Sequence, residues 1–79
     1  MGRRADEPVT ALLTPRELDV LRLAARGMTD KEIAHELRRR DGADLSAHTV
    51  GHVMAAARHK LGACSRTHAV AIAVRSGVA

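Results

Sequence analysis

The sequence predicts an all-α fold, a bundle of four short helices. Alanine contributes 15 of the 79 residues and leucine eight, and both are good helix formers. The residues that favour strands are scarce, since phenylalanine, tyrosine and tryptophan are absent and only seven valines and two isoleucines occur. Four segments begin with a serine or threonine and continue with apolar residues at helical spacing. A chain of this length is expected to form one domain.

The first predicted helix begins after Thr14. Thr14-Pro15-Arg16-Glu17 combines an N-cap hydroxyl, a proline at the first helical position and a glutamate three residues after the cap, which is a capping box. Gly27 is a candidate left-handed cap at the end of this helix. The apolar stripe between these ends comprises Leu18, Val20, Leu21, Ala24 and Ala25.

The second predicted helix starts only two residues after Gly27, so the two helices must meet at a sharp corner. Thr29-Asp30-Lys31-Glu32 repeats the capping box. The apolar face of this helix comprises Ile33, Ala34 and Leu37. The helix runs into Arg38-Arg39-Arg40, and Asp41-Gly42 then marks a turn.

Ser46 and Ser65 are the N-caps of the third and fourth predicted helices. The core face of the third helix comprises Val50, Met54, Ala57 and Leu61, and Gly62 ends the helix. The fourth is apolar without interruption from Ala69 to Val74, so its pattern does not single out one buried face.

The N-terminal segment, residues 1–11, is charged and without periodicity, which predicts a flexible arm ahead of a domain spanning residues 12–79. It carries no signal-peptide pattern, and no apolar run approaches the roughly 18 residues of a membrane span. The single cysteine cannot form an internal disulfide. These features predict a cytoplasmic protein with no membrane partner.

The charge balance favours a polyanionic partner. The net charge is +4, and eleven arginines against two lysines supply forked donors that suit phosphate. Ordinary solubilising surface charge is the alternative explanation. The lack of aromatic residues argues against modules that stack unpaired bases.

Nothing in the sequence predicts an enzyme, because it has no glycine-rich phosphate loop and no paired carboxylates. Cys64 has no identifiable base and is read as a small packing residue. His48 and His52 have the i, i+4 spacing of metal ligands but lack further ligands at a useful spacing, so neither a metal nor another cofactor is expected.

Two helices at a corner followed by a capped third indicate a helix-turn-helix, and the motifs make this more specific. The segments that carry the signal are Leu13-Thr14-Pro15-Arg16-Glu17, Val20-Leu21, Lys31-Glu32-Ile33-Ala34, Thr49-Val50, Lys60-Leu61-Gly62 and Ser65-Arg66. With these segments in this order, the chain from about Leu13 to Val78 resembles the LuxR/GerE-type DNA-binding domain. The resemblance implies a four-helix domain unrelated to winged helices, whose third helix enters the major groove of DNA and whose fourth often dimerises. It also implies a role in bacterial transcription.

Members of that family commonly carry a receiver or ligand-sensing domain ahead of this one. Only about a dozen residues precede it here. We expect a protein without a built-in sensor, similar to the small stand-alone members of the family. The alternative is that the sequence is an effector domain excised from a longer protein.

The outer face of the third helix departs from the family pattern. Gly51 stands where the family has a basic residue, and Val53 where it has histidine, which leaves His52 one position early. If this face enters the groove, the alanine methyls contact thymine methyls and the imidazoles hydrogen-bond to base edges. The alternative is a helix face that contacts only solvent. The residues predicted on this face are His48, His52, Ala55, Ala56 and His59, and Gly51 is counted with them among the DNA-binding positions because it takes the place of the family's basic contact.

Phosphate contacts are predicted at helix starts and in an inserted segment. Lys31 and Thr49 match the family motif and lie near helix N-termini, where anions are favoured. Arg38, Arg39 and Arg40 lie where the resemblance implies six inserted residues, and they either clamp phosphates or form a solvated run offset by Asp41 and Asp44. Arg58, Lys60 and Arg66 are supplementary candidates, with ion pairs to Glu17, Glu32 or Glu36 as the alternative.

The predicted function is sequence-specific binding of double-stranded DNA in bacterial transcriptional regulation. A homodimer is expected through Ala69, Val70, Ile72 and Ala73 of the fourth helix, unless Val70 and Val74 fill the core and leave the alanines exposed. RNA polymerase or another regulator is a further candidate partner. The alternative function is a protein-interaction module that partners or antagonises another regulator through the fourth helix.

Overall fold

A computed structural model describes residues 11–79, which form four α-helices. These are α1 (Pro15–Ala25), α2 (Asp30–Asp41), α3 (Ala47–Lys60) and α4 (Arg66–Arg75). No strand occurs within residues 11–79, so the predicted all-α class is confirmed. Apart from Ala11, the predicted N-terminal arm lies outside the described residues.

The helix starts are where the capping residues predict them. The Thr14 hydroxyl accepts from the Glu17 amide at 3.1 Å, and the Thr14 amide donates to Glu17 Oε1 at 2.8 Å. Thr29 and Glu32 form the same reciprocal pair at 3.2 and 2.8 Å. Both capping boxes satisfy amide donors that a helix start otherwise leaves without partners. Ser46 and Ser65 cap α3 and α4.

The core consists of aliphatic side chains and Met54, and α1 and α3 are its centre because each packs against all three other helices. The stripe predicted for α1 is partly wrong: Leu23 is buried, whereas Ala25 is exposed. Contact with α3 on one side and α4 on another shifts and widens the buried arc of α1. The largest fully buried side chains are Val20, Leu21, Leu23, Ile33, Leu37 and Val50.

The burial of residues in α4 differs from the predicted dimer surface. Ala69 and Ala73 are completely buried, so their assignment to a dimer interface is wrong, and so is the alternative that leaves the alanines exposed. Val70 and Ile72 are partly buried against the core, and Val74 is 51% exposed. Alanine faces inward because its single methyl allows α4 to approach α1 and α3 closely.

A buried carboxylate links α1 to the end of α3. Within residues 11–79, Glu17 is the sole charged residue that is buried, and Lys60 Nζ lies 2.9 Å from its Oε1. The predicted alternative of an intramolecular partner is therefore confirmed for Lys60. Burial raises the pKa of the Glu17 carboxyl, but hydrogen bonds from Thr14 and Lys60 together outweigh burial and lower the pKa below its ordinary value of 4.5.

The Glu17 contacts predict an acid-sensitive fold. Because the pKa of Glu17 is lower in the folded than in the unfolded chain, the stabilisation is complete above about pH 5 and is lost as the pH falls through the folded pKa. Replacing Glu17 with glutamine keeps an oxygen for the Thr14 amide but removes the ion pair. We expect this variant to lose about 1 kcal/mol at pH 7, since the Lys60 side chain is 39% exposed and water screens the pair.

Urea unfolding of both proteins between pH 7 and pH 3 measures this difference. The gap between native chain and variant should close as the pH falls. Parallel loss of stability in the two proteins would show that Glu17 is not responsible.

Candidate nucleic-acid interface

Helix α3 has one buried and one exposed side, as its periodicity predicts. Val50, Met54 and Ala57 are buried, and Leu61, just beyond the helix, is partly buried against the core. Gly51 and Val53 are half-buried at the boundary. The exposed side of α3 brings together all five residues predicted to face DNA bases, which are His48, His52, Ala55, Ala56 and His59. Thr49 is also exposed on this side.

The imidazoles of His48 and His52 contact each other. Their Nε2 atoms are 3.0 Å apart, and the rings meet edge to face with centroids 4.5 Å apart and an interplanar angle of 84°. In the neutral pair one Nε2 carries the hydrogen and the other accepts it. The two histidines therefore do not act as independent base-reading groups.

A positively charged concavity surrounds the start of α3. Lys31 and Arg38 of α2 line the same depression as Ser46 and Ala47, and we name these four residues the α3 corner. Arg38 also donates to the Leu45 carbonyl at 3.3 Å, which holds its guanidinium close to the helix start. Amides in the first turn of a helix, flanked by two cations, form a setting that favours a phosphate oxygen.

The three consecutive arginines do not act together. Glu36 accepts from Arg39 at 2.7 Å and from Arg40 at 2.7 Å, one helical turn along α2. The hydrogen bonds from Arg39 and then Arg40 lower the pKa of the Glu36 carboxyl to about 2. In this structure only Arg38 of the three arginines lies at the α3 corner, while Arg39 and Arg40 pair with Glu36.

The inserted segment has a defined conformation. Helix α2 continues to Asp41 and ends at Gly42, whose φ of 71° is left-handed and favours glycine. Asp41 accepts from the Ala43 amide at 3.0 Å and pairs with Arg16 at 3.3 Å. Asp41 thus fixes the turn and contacts α1, whereas the sequence suggested that it offsets the three arginines.

Arg58 and Arg66 make contacts within the chain. Arg58 donates to the carbonyl of buried Ala63 at 3.2 Å, which fixes the turn after α3. Arg66 forms an ion pair with Asp30, and neither arginine bonds to the glutamates proposed from the sequence. Both side chains remain partly exposed.

Sequence reasoning missed Asp30, which lies at the junction of three helices. Its carboxylate binds Arg66 at the start of α4, and a methyl group at position 51 of α3 would lie 3.5 Å from its Oδ2. A longer basic side chain at position 51, as the family resemblance implies, would meet this carboxylate. No local pattern identifies the role of Asp30, because Arg66 is 36 residues away.

Other reactive side chains do not form a site. Cys64 is exposed, and its backbone amide donates to His68 Nδ1 at 3.0 Å. Across the described part of the chain, no cluster of three or more histidine, cysteine, aspartate or glutamate residues is arranged to hold a metal ion. None of the helices described here has the length and hydropathy needed to cross a membrane.

The fold and the exposed α3 define a helix-turn-helix domain, and comparison with known proteins identifies its family. Residues 11–73 match the family described as "Bacterial regulatory proteins, luxR family", and the chain belongs to that family. The resemblance inferred from the motifs is confirmed. Members of this family are regulators and not enzymes, in agreement with the sequence-based prediction.

Three curated relatives illustrate the match. The "HTH-type quorum sensing-dependent transcriptional regulator VjbR" of Brucella ovis is 44% identical over 77 residues, covering 98% of this chain and 27% of the relative. The "Transcriptional activator protein BjaR1" of Bradyrhizobium diazoefficiens is 40% identical, covering 92% of this chain and 29% of the relative. The "Transcriptional regulatory protein YdfI" of Bacillus subtilis is 39% identical, with coverages of 84% and 28%.

The chain thus spans between a quarter and a third of the length of these relatives. No solved structure matches it significantly.

Proposed function

We propose that this chain binds double-stranded DNA in a sequence-specific manner and regulates transcription in bacteria, with α3 in the major groove. The observation that carries the proposal is the α3 corner, where Lys31 and Arg38 flank the start of a helix whose outer side is exposed. Relatives named as transcriptional regulators support the same function. A DNA-binding regulator of this kind acts in the cytoplasm, at the nucleoid.

Within the proposed DNA-binding surface, the α3 corner and the outer side of α3 have different roles. The α3 corner and Thr49 would hold phosphates and set the orientation of α3, because phosphate contacts position a protein without reading sequence. Ala55 and Ala56 permit close approach and contact thymine methyls, while His59 and the His48–His52 pair offer ring nitrogens to base edges. This surface reads DNA by shape and methyl contact more than by the bidentate arginine contacts common in other readers.

A homodimer through α4 is part of the proposal, with a revised surface. Val70 and Ile72 are half-exposed and remain interface candidates, and exposed Val74 and half-exposed Ala71 replace the buried alanines. A two-fold pair would place two α3 helices in half-sites about one turn of DNA apart. RNA polymerase or another regulator would bind elsewhere on the domain.

Substitutions of neighbouring arginines test DNA binding. Arg38→Ala and Arg39→Ala each remove one positive charge, but only Arg38 lies at the α3 corner, and Arg39 is bound to Glu36. We expect Arg38→Ala to weaken binding to all duplexes and to reduce the log–log salt slope by about 0.9, the value for one phosphate contact. Arg39→Ala should leave the slope nearly unchanged.

Fluorescence anisotropy with a mixed-sequence duplex at several salt concentrations measures both slopes. Equal effects of the two substitutions would exclude the α3 corner as the phosphate site. A native chain whose binding to duplex is absent would instead support the alternative function, a protein-interaction module that acts through α4.

A further inference from the structure

His48 and His52 are arranged as a chelating pair. Both side chains are exposed and lie one turn apart on α3, and their Nε2 atoms converge to 3.0 Å. If two imidazoles pointed directly at each other across that distance, their centroids would be about 5.2 Å apart, since each nitrogen lies about 1.1 Å from its ring centre. The observed 4.5 Å, with the planes of the rings 84° apart, shows that the two rings meet at an angle and do not point directly at each other.

The distances match two adjacent ligands of one metal ion. Imidazole nitrogens about 2.1 Å from an ion and at right angles to each other are about 3.0 Å apart, with ring centroids about 4.6 Å apart. A tetrahedral angle would separate the nitrogens by about 3.4 Å. We propose that His48 and His52 form a bidentate site for a divalent transition metal ion of square or tetragonal preference, Cu²⁺ in the first place and Ni²⁺ in the second.

The surroundings of the pair fit a soft-to-borderline cation. Gly51 places no side chain between the two histidines, and the carboxylate of Asp30 lines the same surface depression. Asp30 opposes the positive end of the α3 dipole, but its pair with Arg66 leaves little negative charge for the metal. The imidazoles must then supply most of the affinity, which favours Cu²⁺ over oxygen-seeking ions such as Mg²⁺.

The rest of the coordination sphere is open. The part of the chain that the structure describes brings no third protein ligand to the pair, so water completes the coordination. The proton now shared between the two Nε2 atoms moves to Nδ1 of the ring that carries it, which frees both Nε2 lone pairs without net proton release from the neutral pair. Acid weakens binding, because protons compete with the metal for the imidazoles.

The experiment is a Cu²⁺ titration of the whole chain without DNA, followed by the visible absorption and electron paramagnetic resonance of the ion. We expect one equivalent to bind with nitrogen ligation. His48→Ala and His52→Ala should each lower the affinity at least tenfold, because either substitution removes one of two ligands. His59→Ala is the matched control, since this histidine is also exposed on α3.

Binding that falls equally in the His52 and His59 variants, or that is unchanged in the His52 variant, would overturn the proposal. Tighter binding of Zn²⁺ than of Cu²⁺ would also overturn it, because the pair would then not impose a right angle. Circular dichroism of each variant confirms that the fold is retained.

Discussion

Replacing Ala73 with glutamate is expected to unfold the domain at 25 °C. Ala73 is completely buried on the side of α4 that packs against the core. A carboxylate there loses its hydration in an aliphatic surrounding, so several kcal/mol of stability are lost. A domain of this size has roughly 4 to 12 kcal/mol in total. Added volume in a close helix contact increases the loss further.

The neighbouring residue is the control for this prediction. Val74 is 51% exposed, so Val74→Glu introduces the same group one position along α4 and should leave the domain folded. Circular dichroism and urea unfolding compare the two variants. Equal stability of both would contradict the packing of α4. If α4 forms the proposed dimer, sedimentation of Val74→Glu should also show a monomer where the native chain is a dimer.

Leu21→Ala is expected to lower the free energy of unfolding by about 2 to 5 kcal/mol, the range for truncating a buried leucine. Leu21 is completely buried in α1, which packs against α2, α3 and α4. The chain has no aromatic residue that could compensate by its larger buried area, so each leucine carries a large share of the core. This loss approaches the total stability of a domain of this size.

Urea unfolding of Leu21→Ala and of Leu18→Ala measures the effect of burial on the same substitution. Leu18 also lies in α1 but is only partly buried, so its truncation should cost clearly less. Comparable losses at the two positions would mean that the core is not centred on Leu21.

The beginnings and ends of the helices could be predicted because their causes are local. Thr14 and Glu17 form the predicted capping box across three residues, and so do Thr29 and Glu32. Gly27 adopts a positive φ of 85° just beyond α1, as the C-cap argument requires. Such contacts need no knowledge of where other helices lie.

The arginine segment was predicted less well, although its signal was also local. Glu36 precedes Arg39 and Arg40 by three and four residues, the spacing at which helical side chains meet. Asp41 and Asp44, the partners expected from the sequence, lie at the last residue of α2 and beyond its end. The separation of Arg38 from the other two follows from the 100° turn between successive residues.

The buried face of α4 could not be derived from the sequence. Residues 69–74 are all apolar, so periodicity gives no direction. The structure places Ala69 and Ala73 inside and Val74 outside, since closely packed helices leave room for a methyl group but not for an isopropyl group.

By itself, the sequence determined the helical class, the four helix starts and the exposed side of α3, because each depends on residues within about one helical turn of one another. It also determined the family, because the family is recognised by the order of its motifs along the chain. Only the tertiary structure decided which side of α4 is buried and how the distant charges pair. Glu17 meets Lys60 across 43 residues and Asp30 meets Arg66 across 36, and such contacts form only when packing of the aliphatic core brings the helices together.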